Sequence, residues 1–492
     1  MDLKELLKGV HVLHIDGRQE LEIKGIAYDS RQAGEGFVFV CISGSKTDGH
    51  LFIEDVIAKG IKAIVVEKEV KDQEGITFIR VEDSRKALSA IAANFYGHPS
   101  KYMNVIGVTG TNGKTTTTHL IKHILEVNGV QSGLIGTISY KILDQEYKAN
   151  NTTPESLELQ RLFQEMLDRE VNTCVMEVSS HSLDLHRVED IQYRIGVFTN
   201  ITQDHLDFHG TMENYKNAKR KLFYKTTQAN IINVDDEFGL ELSRQLSKLD
   251  AKCITYGIKG PAEIYGKDIE ITAKGTRFQL VTPKFSGVIN IGTPGMFSVY
   301  NALAAAAVGY VTGYGYLEIK KGLEETRVVP GRFELVPNDK DLTVIVDYSH
   351  TPDSIENAIK TIREFAKGRI ITVFGCGGDR DKTKRPIMGE IAGRLSDYCI
   401  ITSDNPRTEK PEDIIKDAEV GIKRTSCKYK MIVDRKEGIR EAIRQSGPKD
   451  VILIAGKGHE TYQIIGNRVI DFDDRKIAQE LIREDLQDEV DN

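Results

Sequence analysis

No stretch of the chain comes near the ~20 consecutive apolar residues that a membrane-spanning helix needs. The first residues, MDLKELLKGVHVL, lack the apolar run and small-residue cleavage site of a secretory leader. They read as an amphipathic helix. The six cysteines (Cys41, Cys174, Cys253, Cys376, Cys399, Cys427) stand far apart and form no C-x-x-C pair. That argues against a zinc site and for buried, reduced thiols. No basic block interrupts a chain of 66 Lys and Arg against 73 Asp and Glu, formal charge −7. A nucleic acid polymer, whose phosphates need clustered cations, is therefore not the expected partner. A phosphorylated small molecule, which needs only a local site, is not excluded. Short-period repeats and low-complexity tracts are also missing.

What is present is ordinary globular material, 40% hydrophobic and 28% charged. At 492 residues it is too long for one core, and about three domains are expected. Gly97 and Pro99 in NFYGHPSKYMN mark one boundary, and Pro330 and Gly331 in RVVPGRFELV mark another. The expected units are 1–99, 100–331 and 332–492. The first mixes short strands (GIAYDSR, GFVFVCI, KAIVVE, ITFIRV) with a helix at 51–60. The second and third alternate apolar strands with helical stretches, the pattern of an α/β fold with a mostly parallel sheet. In the third unit LTVIVDY, RIITVFG, YCIITS, YKMIVD and VILIAG are followed by SHTPDS, CGGDRD, DNPRTEKP, RKEG and KGHE. Ligands bind at the carboxyl edge of such sheets, so these polar loops are expected to share a site.

The strongest chemical signal is NVIGVTGTNGKTTTTHLIKHIL, 104–125. A strand enters a glycine-rich turn, and Lys114 and Thr115 open a helix. Backbone N–H groups of such a turn cradle phosphate oxygens, Lys114 adds a charge, and the Thr115 hydroxyl suits Mg²⁺. Val108 occupies the first glycine position of the usual pattern, so the match is to the tighter form Gly110-Thr111-Asn112-Gly113-Lys114-Thr115. A plain strand–helix turn explains the glycines but not Lys-Thr directly after them. Glu177 ends the apolar run TCVME, where a carboxylate suits Mg²⁺; a surface glutamate is the bland alternative. RIGVFTNITQDHLDFHG brings Asn200, Asp204, His205, Asp207 and His209. Two histidines four apart suggest zinc, but no third soft ligand is near, and His209 reads as a surface helix-start residue. In ITSDNPRTEKPED, Pro406 stiffens a turn holding Asp404, Asn405 and Arg407. This is either a simple turn with Thr408 as a helix cap, or a site offering a carboxylate, a carboxamide and a guanidinium together.

The motifs GTNGKTTT, NTTP, EVSSH, DHLDFHG…YKNAKRKLF, YNALAA, GRFE, DYSHTPDS, GCGGDRDKTKRP, DNPRTE and GKGHE occur in one order along nearly the whole chain. In this the sequence resembles the Mur ligases, ATP-dependent amide-forming enzymes of peptidoglycan synthesis. Leu185 stands where some relatives carry Gln, and Ser349 where Ala is more usual.

The resemblance implies three domains: a small α/β unit for the UDP end of the substrate, a central P-loop-type ATPase and a C-terminal Rossmann-like unit for the incoming amino acid. It implies joining of meso-2,6-diaminopimelate to UDP-N-acetylmuramoyl-L-alanyl-D-glutamate through an acyl phosphate, with ATP and Mg²⁺. The implied ATP site is Gly110, Thr111, Asn112, Gly113, Lys114, Thr115, Thr116, Asn301, Arg332 and Asp347. Thr115, Glu177 and His205 are implied Mg²⁺ ligands, with Lys219 carried as a CO₂-derived carbamate; Lys114, Lys219 and His205 are implied in catalysis. From the sequence alone Lys219 reads as a solvated charge among Lys216, Arg220 and Lys221. Ser30, Thr152, Thr153, Ser179 and Arg187 are implied for the UDP substrate. Arg380, Asp404, Asn405, Pro406, Arg407, Gly456 and Glu460 are implied for diaminopimelate, with Arg407 pairing its distal carboxylate. The alternatives are lysine as acceptor, folylpolyglutamate synthetase, and a non-catalytic nucleotide-binding protein. A cytoplasmic monomer is expected.

Overall fold

The computed structural model describes residues 1–44, 47–326, 329–338, 340 and 342–490. Arg327 and Val328, in the second expected boundary, lie outside the described residues. Three sheets carry the fold, each flanked by helices. The first runs in the order Val12–Asp16, Thr77–Val81, Ala63–Val66, Phe37–Val40, Gly25–Ala27, parallel except at its first edge. Its central strand Ala63–Val66 is buried on both faces, as a continuous apolar run in a parallel sheet should be.

The second sheet has 11 strands. Its parallel centre is Lys252–Gly257, Thr226–Asn233, Tyr193–Phe198, Asn104–Thr109, Thr173–Glu177 and Gly133–Ile135. Helix Lys114–Val127 buries Leu120, Ile121 and Ile124 against one face, together with helix Met296–Thr312. The run Ala304–Ala307 in the latter presents small side chains, so the two helices pack closely. Helices Ser156–Asp168 and Glu237–Leu246 cover the other face.

The third sheet runs Glu334–Leu335, Thr343–Asp347, Val451–Ala455, Ile370–Phe374, Tyr398–Thr402, Lys428–Ile432, parallel beyond its first edge, with apolar clusters on both faces. A hairpin of Tyr462–Ile465 and Arg468–Asp471 follows. The α/β architecture with mostly parallel sheets is the one expected. Among the described residues no helix is long and apolar enough to cross a membrane.

Local expectations fail where a tertiary partner outcompetes a local pattern. The first residues form only the short helix Leu3–Leu6, because Val12–Asp16 pairs with Thr77–Val81. The helix expected at 51–60 divides into a 3-10 turn, Gly49–Phe52, and helix Ile53–Ala58. Thr408 caps nothing: helix Pro411–Ile422 starts after Lys410, and the Thr408 hydroxyl donates to Asp379 Oδ1 at 2.6 Å. His209 is not a surface residue. It closes the short helix Leu206–His209, is 6% exposed, and lies with Nε2 3.0 Å from Ser180 Oγ.

Candidate active site

Strand Asn104–Thr109 lies between Thr173–Glu177 and Tyr193–Phe198, so its following loop opens at the carboxyl edge with both neighbours' loops beside it. Gly110 (φ +152°) and Gly113 (φ +86°) form the turn. A Cβ on Gly110 would collide with Thr199 Oγ1, and one on Gly113 with Asn301 Oδ1. Asn301, from helix Met296–Thr312, thus abuts the loop, and it accepts from Thr117 Oγ1 at 3.3 Å. Thr116 is half-exposed on the first turn of helix Lys114–Val127.

Two lysines converge on one carbonyl. Lys114 Nζ donates to Gly110 O and Thr111 O at 2.9 Å each, and Lys219 Nζ donates to Gly110 O at 2.8 Å. Lys219 is 1% exposed, against the solvated charge that the sequence alone suggests, and its Nζ stands 4.5 Å from the Tyr215 ring centre. Helix Met212–Arg220 presents Tyr215 and Lys219 on one face, four residues apart. Burial, and then the neighbouring Lys114 charge, hold the Lys219 ammonium well below the usual lysine range. Burial lowers Lys114 too, opposed by Glu177 and Asp204. Tyr215 Oη lies 3.1 Å from Thr111 Oγ1, tying this helix to the loop.

Glu177 is fully buried and accepts from Thr137 N at 2.9 Å and Thr137 Oγ1 at 3.1 Å. Thr152 Oγ1 lies 3.0 Å from the same Thr137 hydroxyl. Thr153 Oγ1 donates to Glu177 O at 2.9 Å and accepts from Ser179 N at 3.1 Å. Arg187 Nη1 donates to Thr153 O at 3.1 Å, while its Nε lies 2.9 Å from Glu155 Oε1. Thr152, Thr153, Ser179 and Arg187 are therefore linked to Glu177 in one network, through Thr137 and Thr153. Ser30 is held elsewhere, in the 3-10 turn Ser30–Gln32, its carbonyl accepting from Lys59 at 2.6 Å. His205 (φ +53°) sits beside Asp204 and packs edge-on to His181 with ring centres 4.7 Å apart. Burial, with His205 and His209 nearby, pushes His181 down to about 4.

The third unit reaches the same loop. Arg332 Nη2 donates to Thr115 Oγ1 at 3.1 Å, its guanidinium 4.6 Å from the Tyr348 ring centre. Asp347 accepts from Phe333 N at 2.7 Å and from the Ser349 hydroxyl, so its carboxylate holds the segment that carries Arg332. Burial raises the Asp347 carboxyl, opposed by Ser349 and Arg332.

The DNPR loop forms a second centre. Asp404 Oδ1 accepts from Asn405 N at 2.6 Å, and a Cβ on Gly456 (φ +119°) would lie 2.5 Å from Asp404 Oδ2. Asn405 Nδ2 donates to Glu460 at 2.8 Å, and Asn405 Oδ1 accepts from Ile464 N at 2.9 Å. Pro406 O accepts from Glu409 N at 3.0 Å. Arg407 (φ +52°) donates through Nη1 to Gly378 O at 2.8 Å. Arg380 is exposed and donates to Asp379 O at 3.1 Å; no described contact joins it to Arg407. Sequence reasoning passed over His181, Tyr215, Asp353 and Lys457. All four stand inside or beside the quoted motifs, which was the available signal.

Thr115 and Glu177 offer a hydroxyl and a carboxylate, the hard oxygen donors that Mg²⁺ takes. Among the described residues no three His, Cys, Asp or Glu side chains converge as a ready-made metal cage. A Mg²⁺ ion here would draw its remaining ligands from nucleotide phosphates and water.

Three family models match the chain: the Mur ligase family catalytic domain over 22–96, the Mur ligase middle domain over 108–309 and the Mur ligase glutamate ligase domain over 331–458. The chain is 49% identical over 482 residues to the UDP-N-acetylmuramoyl-L-alanyl-D-glutamate–2,6-diaminopimelate ligase of Clostridioides difficile (strain 630), covering 98% of this chain and 99% of that protein. It is 50% identical over 485 residues to the protein of the same name from Alkaliphilus oremlandii (strain OhILAs), covering 99% of each. A solved structure of a ligase of that name is 30% identical, with a TM-score of 0.70 over 99% of each chain.

Proposed function

The chain belongs to the Mur ligase family, and on that premise we infer that it is the ATP-dependent ligase adding meso-2,6-diaminopimelate to UDP-N-acetylmuramoyl-L-alanyl-D-glutamate in peptidoglycan precursor synthesis. A carboxylate is a poor electrophile. Its oxygen attacks the γ-phosphorus of ATP, ADP leaves, and an acyl phosphate forms. The acceptor amine then attacks the acyl carbon, and phosphate departs with the bond electrons.

Two anions must meet in the first step, so cations must stand beside them. Lys114 would take this role, with the loop 110–113 holding the phosphates and Asn301 and Arg332 flanking the nucleotide; its support is that Lys114 and Arg332 both bond groups of that loop and helix start. Thr115, Glu177 and His205 would hold Mg²⁺, which supplies charge neutralisation at the phosphoryl oxygens. Lys219 is proposed as a carbamate. Only a neutral amine adds CO₂, releasing one proton, and burial beside Lys114 favours that neutral form. The product is an anion with oxygen donors. Thr152, Thr153, Ser179 and Arg187, linked to Glu177 through Thr137 and Thr153, would seat the peptide end of the UDP substrate, with Ser30 near the uridine end. Arg407, Asp404 and Glu460 would receive the distal ammonium and carboxylate of diaminopimelate, on a loop braced by Asn405, Pro406 and Gly456, with Arg380 at the rim. Residues 1–99, 100–331 and 332–492 would act as UDP-, ATP- and amino-acid-binding units of a cytoplasmic monomer.

The observation that carries this reading is the joint between the centres: Arg332 bonds Thr115, and Asp353 bonds Asn112. An enzyme that activates a carboxylate in one unit and aminates it from another needs such a joint. The deciding experiment is phosphate release with ATP, Mg²⁺ and the UDP substrate, comparing meso-diaminopimelate with L-lysine. Turnover with diaminopimelate alone is expected. Turnover with lysine would overturn the acceptor, and turnover with neither would turn attention to the folate-type reaction.

A further inference from the structure

Lys457 stands between Gly456 and Glu460 and has no established part in the proposed acceptor site, yet its side chain is 0% exposed. Its Nζ donates to Glu460 Oε2 at 3.0 Å and to Asn405 Oδ1 at 3.3 Å, and lies 5.5 Å from the Tyr462 ring centre. It therefore touches two residues of the DNPR centre while offering no atom to solvent.

We propose that Lys457 is a specificity-determining residue that brings the acceptor pocket to zero net charge, matching the zwitterionic far end of diaminopimelate and rejecting amino acids whose far end is a cation. The proposal rests on the acceptor site assigned above. The charged groups at that centre are Asp404, Glu460, Arg407 and Lys457, two of each sign. Arg435, behind them, cancels against Asp474: both are fully buried, with Nε and Nη2 at 2.8 and 2.7 Å from the two carboxylate oxygens. Asp379 and Arg380 lie exposed at the rim, where solvent and salt screen them. Glu460 Oε2 takes both Lys457 and Asn405, and no described hydrogen bond uses Oε1. That oxygen is available to an incoming ammonium.

A pocket of zero net charge takes a neutral pair of groups without an uncompensated charge. The same pocket receiving the lone ammonium of lysine acquires a net +1 out of water, which is costly. Deleting Lys457 leaves the pocket at −1, which suits lysine and penalises the distal carboxylate.

The test is the ratio of kcat/KM for meso-diaminopimelate to that for L-lysine in wild type, Lys457→Met, Lys457→Gln and Lys457→Arg. The two neutral variants are expected to lower the ratio about tenfold or more, chiefly through KM for diaminopimelate. Lys457→Arg, which keeps the charge, is expected to hold the ratio nearer to wild type than either. A residue that merely fills space predicts the reverse, with Lys457→Met, closest in shape, disturbing the ratio least and the bulkier Lys457→Arg most. Lys457→Gln keeps a hydrogen-bond donor toward Glu460, so it reports on charge should Lys457→Met fail to fold. A wild-type ratio in the folded neutral variants, or a ratio in folded Lys457→Arg no higher than theirs, would overturn the proposal. Wild-type turnover with lysine in place of diaminopimelate would instead overturn the acceptor site on which it rests.

Discussion

Asp353 and Asn112 are 241 residues apart in sequence, and the Asp353 carboxylate accepts from the Asn112 side-chain amide at 2.6 Å. The same oxygen accepts from Thr202 Oγ1 at 3.0 Å. Asp353 is held for this by local chemistry. Pro352 opens helix Pro352–Phe365, and Thr351 and Ser354 close a reciprocal capping box around it. The third unit thus grips the glycine-rich loop after strand Asn104–Thr109 through a rigid helix start. Asp353→Ala should lower kcat about 10- to 100-fold, since hydrogen bonds to a charged group contribute about 1.5–3 kcal/mol. Affinity for a fluorescent ADP analogue should change only a few-fold. Steady-state rates alongside ADP titration check this; an unchanged kcat would show that the joint is idle in turnover.

Arg407 is anchored by one nitrogen to Gly378 O, which leaves the rest of its guanidinium fork for a carboxylate. Lysine would leave that fork unpaired at a cost of about 1–3 kcal/mol. Arg407→Ala should therefore lose about 10- to 100-fold in preference for diaminopimelate over lysine, while ADP binding persists. Competition between the two acceptors, read by mass of the product, measures the change. A preserved preference would place acceptor selection elsewhere.

His181 gives the protein a pH-dependent stability. Its folded pKa is held at about 4, below the ordinary 6.5, by burial first and then by His205, His209 and Arg187, with Asp207 opposing. Between those values the unfolded chain binds the proton more readily than the folded one. Stability from this group is thus complete above pH 6.5 and is lost as pH falls toward 4. Urea unfolding at pH 7 and pH 4.5 should show the loss, and His181→Asn should show a shallower dependence across that window. An identical slope in both proteins would locate the acid sensitivity in other groups.

The glycine-rich turn between strand and helix was legible because its signal is local: glycines at positive φ, then Lys and Thr at a helix start. The parallel sheets were legible from runs such as VILIA and IITVF, which are apolar on both faces. Lys219 was not. Charges at 216, 219 and 220 lie on several sides of helix Met212–Arg220 and another follows at 221, and only packing against the loop after Asn104–Thr109 selects which one is buried. His209 failed for the same reason: Ser180, which its ring meets, is 29 residues away in sequence, and only the fold brings the two together. Asp353 and Lys457 lay inside recognisable motifs, but their significance rests on partners 241 and 52 residues away.

Lys219 carries the sharpest chemical prediction. As an amine it donates to Gly110 O, beside a second ammonium at Lys114, an arrangement in which two cations share one acceptor. Conversion to a carbamate replaces one of those cations with an anion next to Lys114 and removes the like-charge repulsion. The depressed lysine pKa favours the neutral form that reacts with CO₂, so bicarbonate should raise the activity of protein purified without it. Lys219→Ala removes the side chain and should lose most activity. Acetate or another short carboxylate, diffusing into the space left beside Gly110, should restore part of it. Intact-protein mass spectra lose so labile a group, so ¹³C NMR after incubation with labelled bicarbonate is the direct measurement. A carbamate resonance in wild type that is missing from Lys219→Ala assigns the modification to this residue. Equal spectra, with no rescue by any carboxylate, would leave Lys219 an unmodified lysine beside Gly110.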